Sequence, residues 1–378
     1  MIPFNIPYTT GKENRYIRKA LALKKFSGDG SFNKKCQELI EKDLSCSKVF
    51  LTPSGTAALE MAAILCNIKE GDEVIMPSFT FPSSANAFVL RGAKIVFVDI
   101  NPKTMNIDEN LIEQAITEKT KAIVVVHYAG IACNLGKIKA ITDKNNLFLV
   151  EDAAHAFGAK YNDKYLGTIG DIGCISFHET KNIHCGEGGA IIINNSIFAE
   201  RAEIIREKGT DRSKFKRGET LKYSWLDKGS SYLLSEINAA FLYAQLQAYE
   251  KVNKKRVKLF ELYKEELEYL ESLGRIGLPV IPDYCKHNGH IFYMKCKDET
   301  ERNNLIDFLN KNTVYPAFHY LPLHSSKAGQ AFGIFNGDDL FTTLESSKLL
   351  RLPMFYDLNR KEIKEIGKVI KRFYETKN

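Results

Sequence analysis

The chain has 378 residues, 44% of them hydrophobic and 26% charged, with a formal net charge of +7 at pH 7. This is the composition of an ordinary globular protein; it excludes a disordered chain, and the length is enough for a large core shared by two domains. The lysines and arginines are spread along the whole sequence, so nucleic acid is not an expected partner.

The opening Met1-Ile2-Pro3-Phe4-Asn5-Ile6-Pro7 lacks the basic start and apolar run of a signal peptide, and no stretch approaches the roughly 20 apolar residues of a membrane helix. The expectation is a cytoplasmic protein with no membrane partner. Eight cysteines, at 36, 46, 66, 133, 174, 185, 285 and 296, include no Cys-x-x-Cys pair. In that compartment they are expected to be reduced thiols, with neither a disulfide framework nor a zinc cage.

From Val49 onward the sequence alternates. Apolar, strand-like runs stand at Val49-Phe50-Leu51, Val74-Ile75-Met76, Ile95-Val96-Phe97-Val98, Ala122 to Val126, Leu147 to Val150 and Ile172 to Phe177. Between the earlier runs lie helix-length stretches at Ser54 to Cys66, Ser83 to Arg91, Asp108 to Ile116 and Leu135 to Asn145. Alternation of this kind predicts an α/β fold, and continuous apolar strands predict a mostly parallel central sheet flanked by helices. Ligands of such sheets sit at the carboxyl ends of the strands. Thr52-Pro53-Ser54, His127-Tyr128 and Asp152 all stand at such ends, so one crevice is expected to gather them.

Lys208 to Ser231 reads as a charged, glycine-bearing loop, followed by one long helix from Tyr232 to about Leu273. Strands are predicted near His290 to Cys296 and Val314 to Phe318, and helices near Glu301 to Asn310 and Arg360 to Tyr374. The division expected is a large α/β domain over residues 1–240 and a smaller C-terminal α+β domain over 241–378.

The candidate chemistry centres on Ser176-Phe177-His178-Glu179-Thr180-Lys181-Asn182, followed by Gly186-Glu187-Gly188-Gly189. Lys181 stands just after an apolar strand and before a tight loop, where its amine can reach a ligand and form a Schiff base with an aldehyde. Upstream, Asp152 closes another strand and Ser54-Gly55-Thr56 opens a helix, where N–H groups and the helix dipole favour a phosphate. Lysine, carboxylate and phosphate cradle together suggest pyridoxal 5'-phosphate, an electron sink that the protein must hold and tune.

Asp152 would sit beside the ring nitrogen, Ser176 would add a phosphate contact, Phe81 would stack on the ring and His155 would approach the phenolic oxygen. Lys181 would serve as imine and as base, since desolvation beside a cationic cofactor lowers a lysine pKa. Taken singly these residues have plainer readings: Asp152 and Ser54 as helix or turn caps, Phe81 as a core aromatic, His155 as a locally bonded histidine. His178-Glu179 does not make a zinc-protease motif, because Asn182 stands where the second histidine is required. No metal site is expected.

The motifs Pro53-Ser54-Gly55-Thr56-Ala57-Ala58-Leu59, Gly71-Asp72-Glu73-Val74-Ile75, Glu151-Asp152-Ala153-Ala154-His155, Ser176 to Lys181 and Gly186 to Gly189 resemble, in this order, those of the DegT/DnrJ/EryC1/StrS sugar-nucleotide aminotransferases. The resemblance runs over essentially the whole chain. It implies the fold type I pyridoxal phosphate architecture, Lys181 as the Schiff-base lysine, Asp152 as the ring-nitrogen partner, Phe81 as the stacking residue, His155 near the phenolic oxygen, and Ser54, Gly55, Thr56 and Ser176 as the phosphate cradle.

Runs at Asn86 to Asp99, His127 to Gly130, Ser176 to Asn182 and Phe318 to His324 resemble a branch of the family that serves enterobacterial common antigen synthesis. They imply transfer of the amino group of L-glutamate to C4 of dTDP-4-dehydro-6-deoxyglucose. The products would be dTDP-4-amino-4,6-dideoxygalactose and 2-oxoglutarate, formed in two half-reactions through pyridoxamine 5'-phosphate.

A homodimer with shared active sites is also implied. The family's cross-dimer asparagine is absent here, and Ser230-Ser231 stands in its place, making Ser231 the expected contact. Lys208 and Arg212 are candidates to meet the substrate diphosphate, and His319, Tyr320 and His324 to border the sugar. A UDP-linked 4-keto sugar or a dTDP-linked 3-keto sugar is the alternative substrate. A sugar dehydratase, which carries histidine in place of the lysine, and a non-catalytic sugar-nucleotide sensor are rival readings; Lys181 argues against the dehydratase.

Overall fold

A computed structural model describes residues 1–375. Its strands in chain order are β1 Lys48–Thr52, β2 Glu73–Pro77, β3 Lys94–Val98, β4 Thr120–Val126, β5 Phe148–Asp152, β6 Lys160–Tyr161, β7 Lys164–Tyr165, β8 Ile172–Ser176, β9 Gly189–Ile193, β10 Cys285–Lys286, β11 Tyr293–Lys295, β12 Gly333–Phe335 and β13 Leu349–Arg351. Eight of them form the central sheet in the order β1-β9-β8-β5-β4-β2-β3-β12. β9 runs antiparallel to β1 and β8, and the other pairs are parallel.

The two-residue period of the strands divides their side chains between two cores. Val49, Leu51, Ile75, Val96, Ile123, Val125, Leu149 and Ile175 face one core, which the helices Ser31–Leu44 and Glu236–Leu246 cover. Phe50, Val74, Met76, Ile95, Phe97, Val124, Val150 and Ile172 face the other, which contains the apolar helix Gly55–Leu65. Both sets are buried, which is why the strands read as unbroken apolar runs. A third core joins the helices Tyr249–Ser272 and Arg360–Glu375 to β11 and β13 through Leu259, Tyr263, Phe292, Leu350, Ile363 and Ile370. Each such side chain contributes roughly 1.5–3 kcal/mol when fully buried.

Register aligns the strand ends. Thr52 and Ser176 both pair with Gly189, while Val126 lies opposite Asp152 and Asp152 opposite Cys174. The loops after β1, β2, β4, β5 and β8 therefore leave from one edge of the sheet.

Three expected elements differ. Asp108 to Ile116 holds only a short 3-10 turn, Glu113–Ala115; the Asp108 carboxylate accepts from the backbone and side-chain nitrogens of Asn110 (2.9 and 2.7 Å), a local turn that competes with helix. The single helix expected over 232–273 is two, Glu236–Leu246 and Tyr249–Ser272. The first is capped by Ser235 and packs against the helices Glu13–Ala22 and Ser31–Leu44, whereas the second packs on the last helix. Val314 to Phe318 makes only isolated bridges, Val314 with Ile2 and Ala317 with Arg351. The loop after Lys208 contains a short helix, Arg212–Lys216.

All eight cysteines are free. Among the described residues no helix is long and apolar enough to cross a membrane.

Candidate active site

A cavity of about 400 Å³ opens where the strand ends converge, lined by Ser54, Gly55, Thr56, Phe81, Asp152, His155, Ser176, Lys181, His319, Tyr320 and Arg351 among others. Its floor is the start of the helix Gly55–Leu65. The first intrahelical bond runs from Ala58 N–H to Ser54 C=O (3.3 Å), and the Ser54 hydroxyl accepts from Ala57 N–H (3.0 Å). The N–H groups of Gly55 and Thr56 come before that bond and are placed for an anion. A Cβ at Gly55 would stand 3.0 Å from the Ser176 Cβ, and one at Gly189 would stand 2.4 Å from the Ser54 carbonyl group. Glycine thus lets β8, β9 and the helix start close into one concave surface.

Asp152 is buried at the end of β5, with 5% of its surface exposed. Its Oδ2 accepts from the Ser84 hydroxyl (2.6 Å) and its Oδ1 from Ala154 N–H (3.1 Å). Because Ser84 gives its proton to Asp152, the Thr80 hydroxyl donates to Ser84 (2.7 Å). The neighbouring Glu151 points to the opposite face, as strand alternation requires. There it accepts from Gly167, Ile169 and Gly170 N–H (2.8, 2.7 and 2.6 Å) and pairs with His127 at 2.9 Å. Burial pushes the Glu151 carboxyl up, but the His127 interaction and the backbone donors hold it below its ordinary value.

Lys181 is half-buried in the cavity wall. Burial lowers its ammonium to about 8; the Asp152 carboxylate opposes that fall and the Arg351 guanidinium adds to it. Asn182 fixes the loop by donating to Asn253 Oδ1 and Asn288 C=O (both 3.0 Å) and accepting from His290 (2.9 Å).

Three histidines surround this lysine in neutral form. Burial drives His155, His290 and His319 well below 6.5, with Lys181 contributing at each. Ala129 N–H donates to His155 Nδ1 (3.3 Å), so the ring proton is assigned to Nε2, which donates to the Tyr320 hydroxyl (3.2 Å). His319 Nδ1 shares a hydrogen bond with the Tyr128 hydroxyl (2.7 Å).

Of the residues singled out in the sequence, Lys208, Arg212, Ser231 and His324 do not line this cavity. Lys208 is exposed, and Arg212 pairs with the buried Glu207 (2.9 Å). Ser231 forms an isolated bridge with Glu207 on the surface of the subunit. His324 turns away to Ser78 (2.7 Å) and Asp339 (3.1 Å), a network that fastens the 323–326 turn to the end of β2. Phe81 reaches the cavity with 56% of its surface exposed, 6.1 Å from the Tyr320 ring. Sequence reading missed Ser84, Arg256, His290 and Arg351. Only Arg351 left a local sign, a charge closing the apolar Leu349-Leu350.

This arrangement fits pyridoxal phosphate: open N–H groups and hydroxyls at a helix start for a phosphate, a hydrogen-bonded buried carboxylate, and an amine of lowered pKa facing one enclosed space.

The DegT/DnrJ/EryC1/StrS aminotransferase family matches residues 7–371. The chain is 32% identical, over 380 aligned positions, to the GDP-perosamine synthase of Escherichia coli O157:H7, covering 100% of this chain and 99% of that relative. Among solved structures, it matches DesV of S. venezuelae with a TM-score of 0.90 at 27% identity, over 99% of this chain and 98% of that one. It matches the PLP-form of Spr1654 from Streptococcus pneumoniae with a TM-score of 0.88 at 25% identity, over 99% of both chains. The chain belongs to the DegT/DnrJ/EryC1/StrS aminotransferase family and is a pyridoxal phosphate-dependent sugar aminotransferase.

Proposed function

We propose that the protein moves the amino group of L-glutamate to C4 of dTDP-4-dehydro-6-deoxyglucose, releasing 2-oxoglutarate. The observation that carries this reading is Lys181, held at about 8 in the same cavity as Asp152 and the Ser54-Gly55-Thr56 helix start. The runs around Asn86 to Asp99 and Phe318 to His324 support the choice of sugar.

When bound, pyridoxal phosphate supplies a reversible link to amines and a sink for the electrons released when a proton leaves carbon. Ser54, Gly55, Thr56 and Ser176 would hold the phosphate. Asp152, oriented by the Ser84 hydroxyl and Ala154 N–H, would pair with the ring N–H. Phe81 would cover one ring face, and His155 would stand near the phenolic oxygen. Lys181 in its neutral form takes the proton from the donor carbon and returns one to the acceptor carbon, so a pKa near working pH suits both directions. His319 and Tyr320 border the sugar.

The exposed Leu221, Trp225 and Leu226, with 97%, 80% and 56% of their surface open, support a homodimer. In it the partner subunit's Ser231 completes the phosphate site, and Lys208 and Arg212 meet the sugar diphosphate. Light scattering tests this, and a stable monomer with full activity would rule it out. We place the enzyme in the cytoplasm, where nucleotide sugars for surface polysaccharides are made.

A GDP-linked keto sugar is the second reading, favoured by the full-length similarity to a relative named GDP-perosamine synthase. Incubation with L-glutamate and dTDP-, GDP- and UDP-linked 3-keto and 4-keto sugars separates the substrates, with NMR giving the position and configuration of the new amine. Sugar-dependent release of 2-oxoglutarate is expected, and its absence with every sugar would defeat the proposal.

A further inference from the structure

Asn182, Asn253 and Asn288 are buried side chains from distant parts of the chain, and their amides form one network. Asn182 belongs to the Lys181 loop, Asn253 to the helix Tyr249–Ser272 and Asn288 to the segment before β11. Asn182 Nδ2 donates to Asn253 Oδ1 and to the Asn288 carbonyl (both 3.0 Å). A backbone carbonyl can only accept, so the amide nitrogen lies on that side and Oδ1 accepts from His290 Nδ1–H (2.9 Å). Asn288 Nδ2 donates to the carbonyls of His155 and Phe157 (2.9 and 3.2 Å), while its Oδ1 accepts from His290 N–H (3.1 Å). Asn253 Nδ2 donates to the same Phe157 carbonyl (2.9 Å).

Asn182 and Asn288 thus use both amide hydrogens and the amide oxygen. A buried polar network satisfied in this way is stiff, and losing one member leaves the others unpaired. The backbone is shaped to admit it. A Cβ at Gly130 would stand 2.1 Å from Asn288 Oδ1, and one at Gly158 would stand 2.6 Å from Asn253 Nδ2. Arg256, on the same helix as Asn253, holds the 288–290 segment from its own side through the Gly289 and His290 carbonyls (3.1 and 2.7 Å).

The network leads to cavity side chains on every branch. Asn182 follows Lys181 in the chain, Asn288 grips the carbonyl of His155, and His290 lines the cavity with its ring centre 4.6 Å from that of His155. Lys181 stands near enough to act on the charge of both histidines. A lysine amine rides on a flexible four-carbon stem, so the fold places it chiefly by placing its backbone. Lys181 N–H bonds within its own turn to His178 C=O (2.9 Å), and the Asn182 amide ties that turn to the long helix and to the 288–290 segment.

We propose that Asn182 and Asn288 are positioning residues for the proton transfer: they hold the Lys181 backbone at a fixed place relative to His155 and so set the reach of the amine to the donor carbon. This rests on the reading of Lys181 as the base. Neither amide touches the reacting atoms; both act through Lys181 and His155.

The test follows the L-glutamate half-reaction of the cofactor-loaded enzyme by cofactor absorbance, with hydrogen or deuterium on the α-carbon of the donor. Asn182→Ala and Asn288→Ala are expected to lower the maximal rate on the order of 100-fold, the effect of displacing a catalytic group by about 1 Å. The isotope effect should rise, because proton transfer becomes the slower step, and the L-glutamate concentration at half-maximal rate should change little. Attachment of pyridoxal phosphate to Lys181 in the apoprotein, read from the visible band, should slow in both variants. Denaturant titration gives the folded fraction, and Leu259→Ala, which opens a cavity in the third core away from the network, is the destabilised control; its isotope effect and attachment rate should match the native enzyme. An unchanged isotope effect in both asparagine variants, or the same rise in Leu259→Ala, would overturn this assignment alone. Normal turnover of Lys181→Ala would overturn it together with the reading of Lys181 on which it rests.

Discussion

The hydroxyl of Ser84 donates a 2.6 Å hydrogen bond to Oδ2 of Asp152. Ser84 stands on the helix Pro82–Val89, at the amino-terminal turn that follows β2, whereas Asp152 ends β5. The carboxylate on which the cofactor ring is proposed to depend is thus held by a side chain from another crossover, itself fixed by Thr80.

Removing that hydroxyl should be felt at the cofactor. Hydrogen bonds to charged groups are worth about 1.5–3 kcal/mol, so Ser84→Ala is expected to weaken pyridoxal phosphate retention about 10- to 100-fold while leaving the fold intact. Absorbance titration of the apoprotein measures it, and unchanged affinity would show that Asp152 is held by its other contacts alone.

Lys181→Ala should abolish transamination without unfolding the chain, because the side chain borders a cavity and the loop is fixed by Asn182. Circular dichroism checks the fold and 2-oxoglutarate release the activity. Normal turnover in this variant would refute the assigned role.

The Lys181 pKa of about 8 sets a pH dependence. A step that needs the neutral amine should quicken as pH rises and level off above about 8. Stability follows the same sign. The ordinary lysine value of 10.5 is lowered in the fold, so between about 8 and 10.5 the unfolded chain binds more protons. The apoprotein should therefore gain stability from this group as pH rises through that window. Arg351→Gln removes a cation that lowers this pKa and should move the kinetic midpoint upward; single-turnover rates against pH would reveal a midpoint that does not move.

Glu151→Gln is expected to cost about 1–3 kcal/mol, the usual penalty for leaving a buried donor unsatisfied. The amide cannot accept from His127 and all three backbone donors at once. With its pKa held down in the fold, Glu151 contributes stability above its unfolded value and loses it as pH falls through the folded one. Denaturant titration at neutral and acid pH gives both numbers, and a variant as stable as the native protein would contradict the assignment.

Gly189→Ala tests the close approach beneath the Ser54-Gly55-Thr56 helix start, the proposed phosphate cradle. Its Cβ would meet the Ser54 carbonyl group at 2.4 Å, and backbone cannot yield cheaply. Overpacking of this kind costs about 1–3 kcal/mol, and weaker cofactor binding should accompany it. Thermal melts with and without pyridoxal phosphate separate the two effects.

Much of the fold was legible because burial on both faces leaves a plain mark. β1 to β5 and β8 all stand where apolar runs predict them, and Ser54, Asp152 and Lys181 meet because parallel strands send their ends to one edge. β9 was overlooked although Ala190 to Ile193 is apolar, since no helix separates it from β8. The expected helix at 108–116 fell to a local Asp108–Asn110 turn, which side-chain periodicity does not register.

The sequence by itself determined the layered α/β architecture, the lysine, carboxylate and helix start proposed to form the cofactor site, and the family motifs, because these depend on local pattern and on strand ends. Only the tertiary structure decided which distant groups gather around Lys181 and Asp152. Arg351 comes from β13, His290 from the segment before β11, and Ser84 from a helix after β2. No periodicity links such positions; packing of the third core against the sheet brings Arg351 and His290 to the cavity, and the helix Pro82–Val89 brings Ser84 to Asp152. The same packing takes His324 away to Ser78 and Asp339. Spacing reports which face of an element a side chain occupies, whereas burial, charge and the lowered pKa of Lys181 arise from what other elements place beside it.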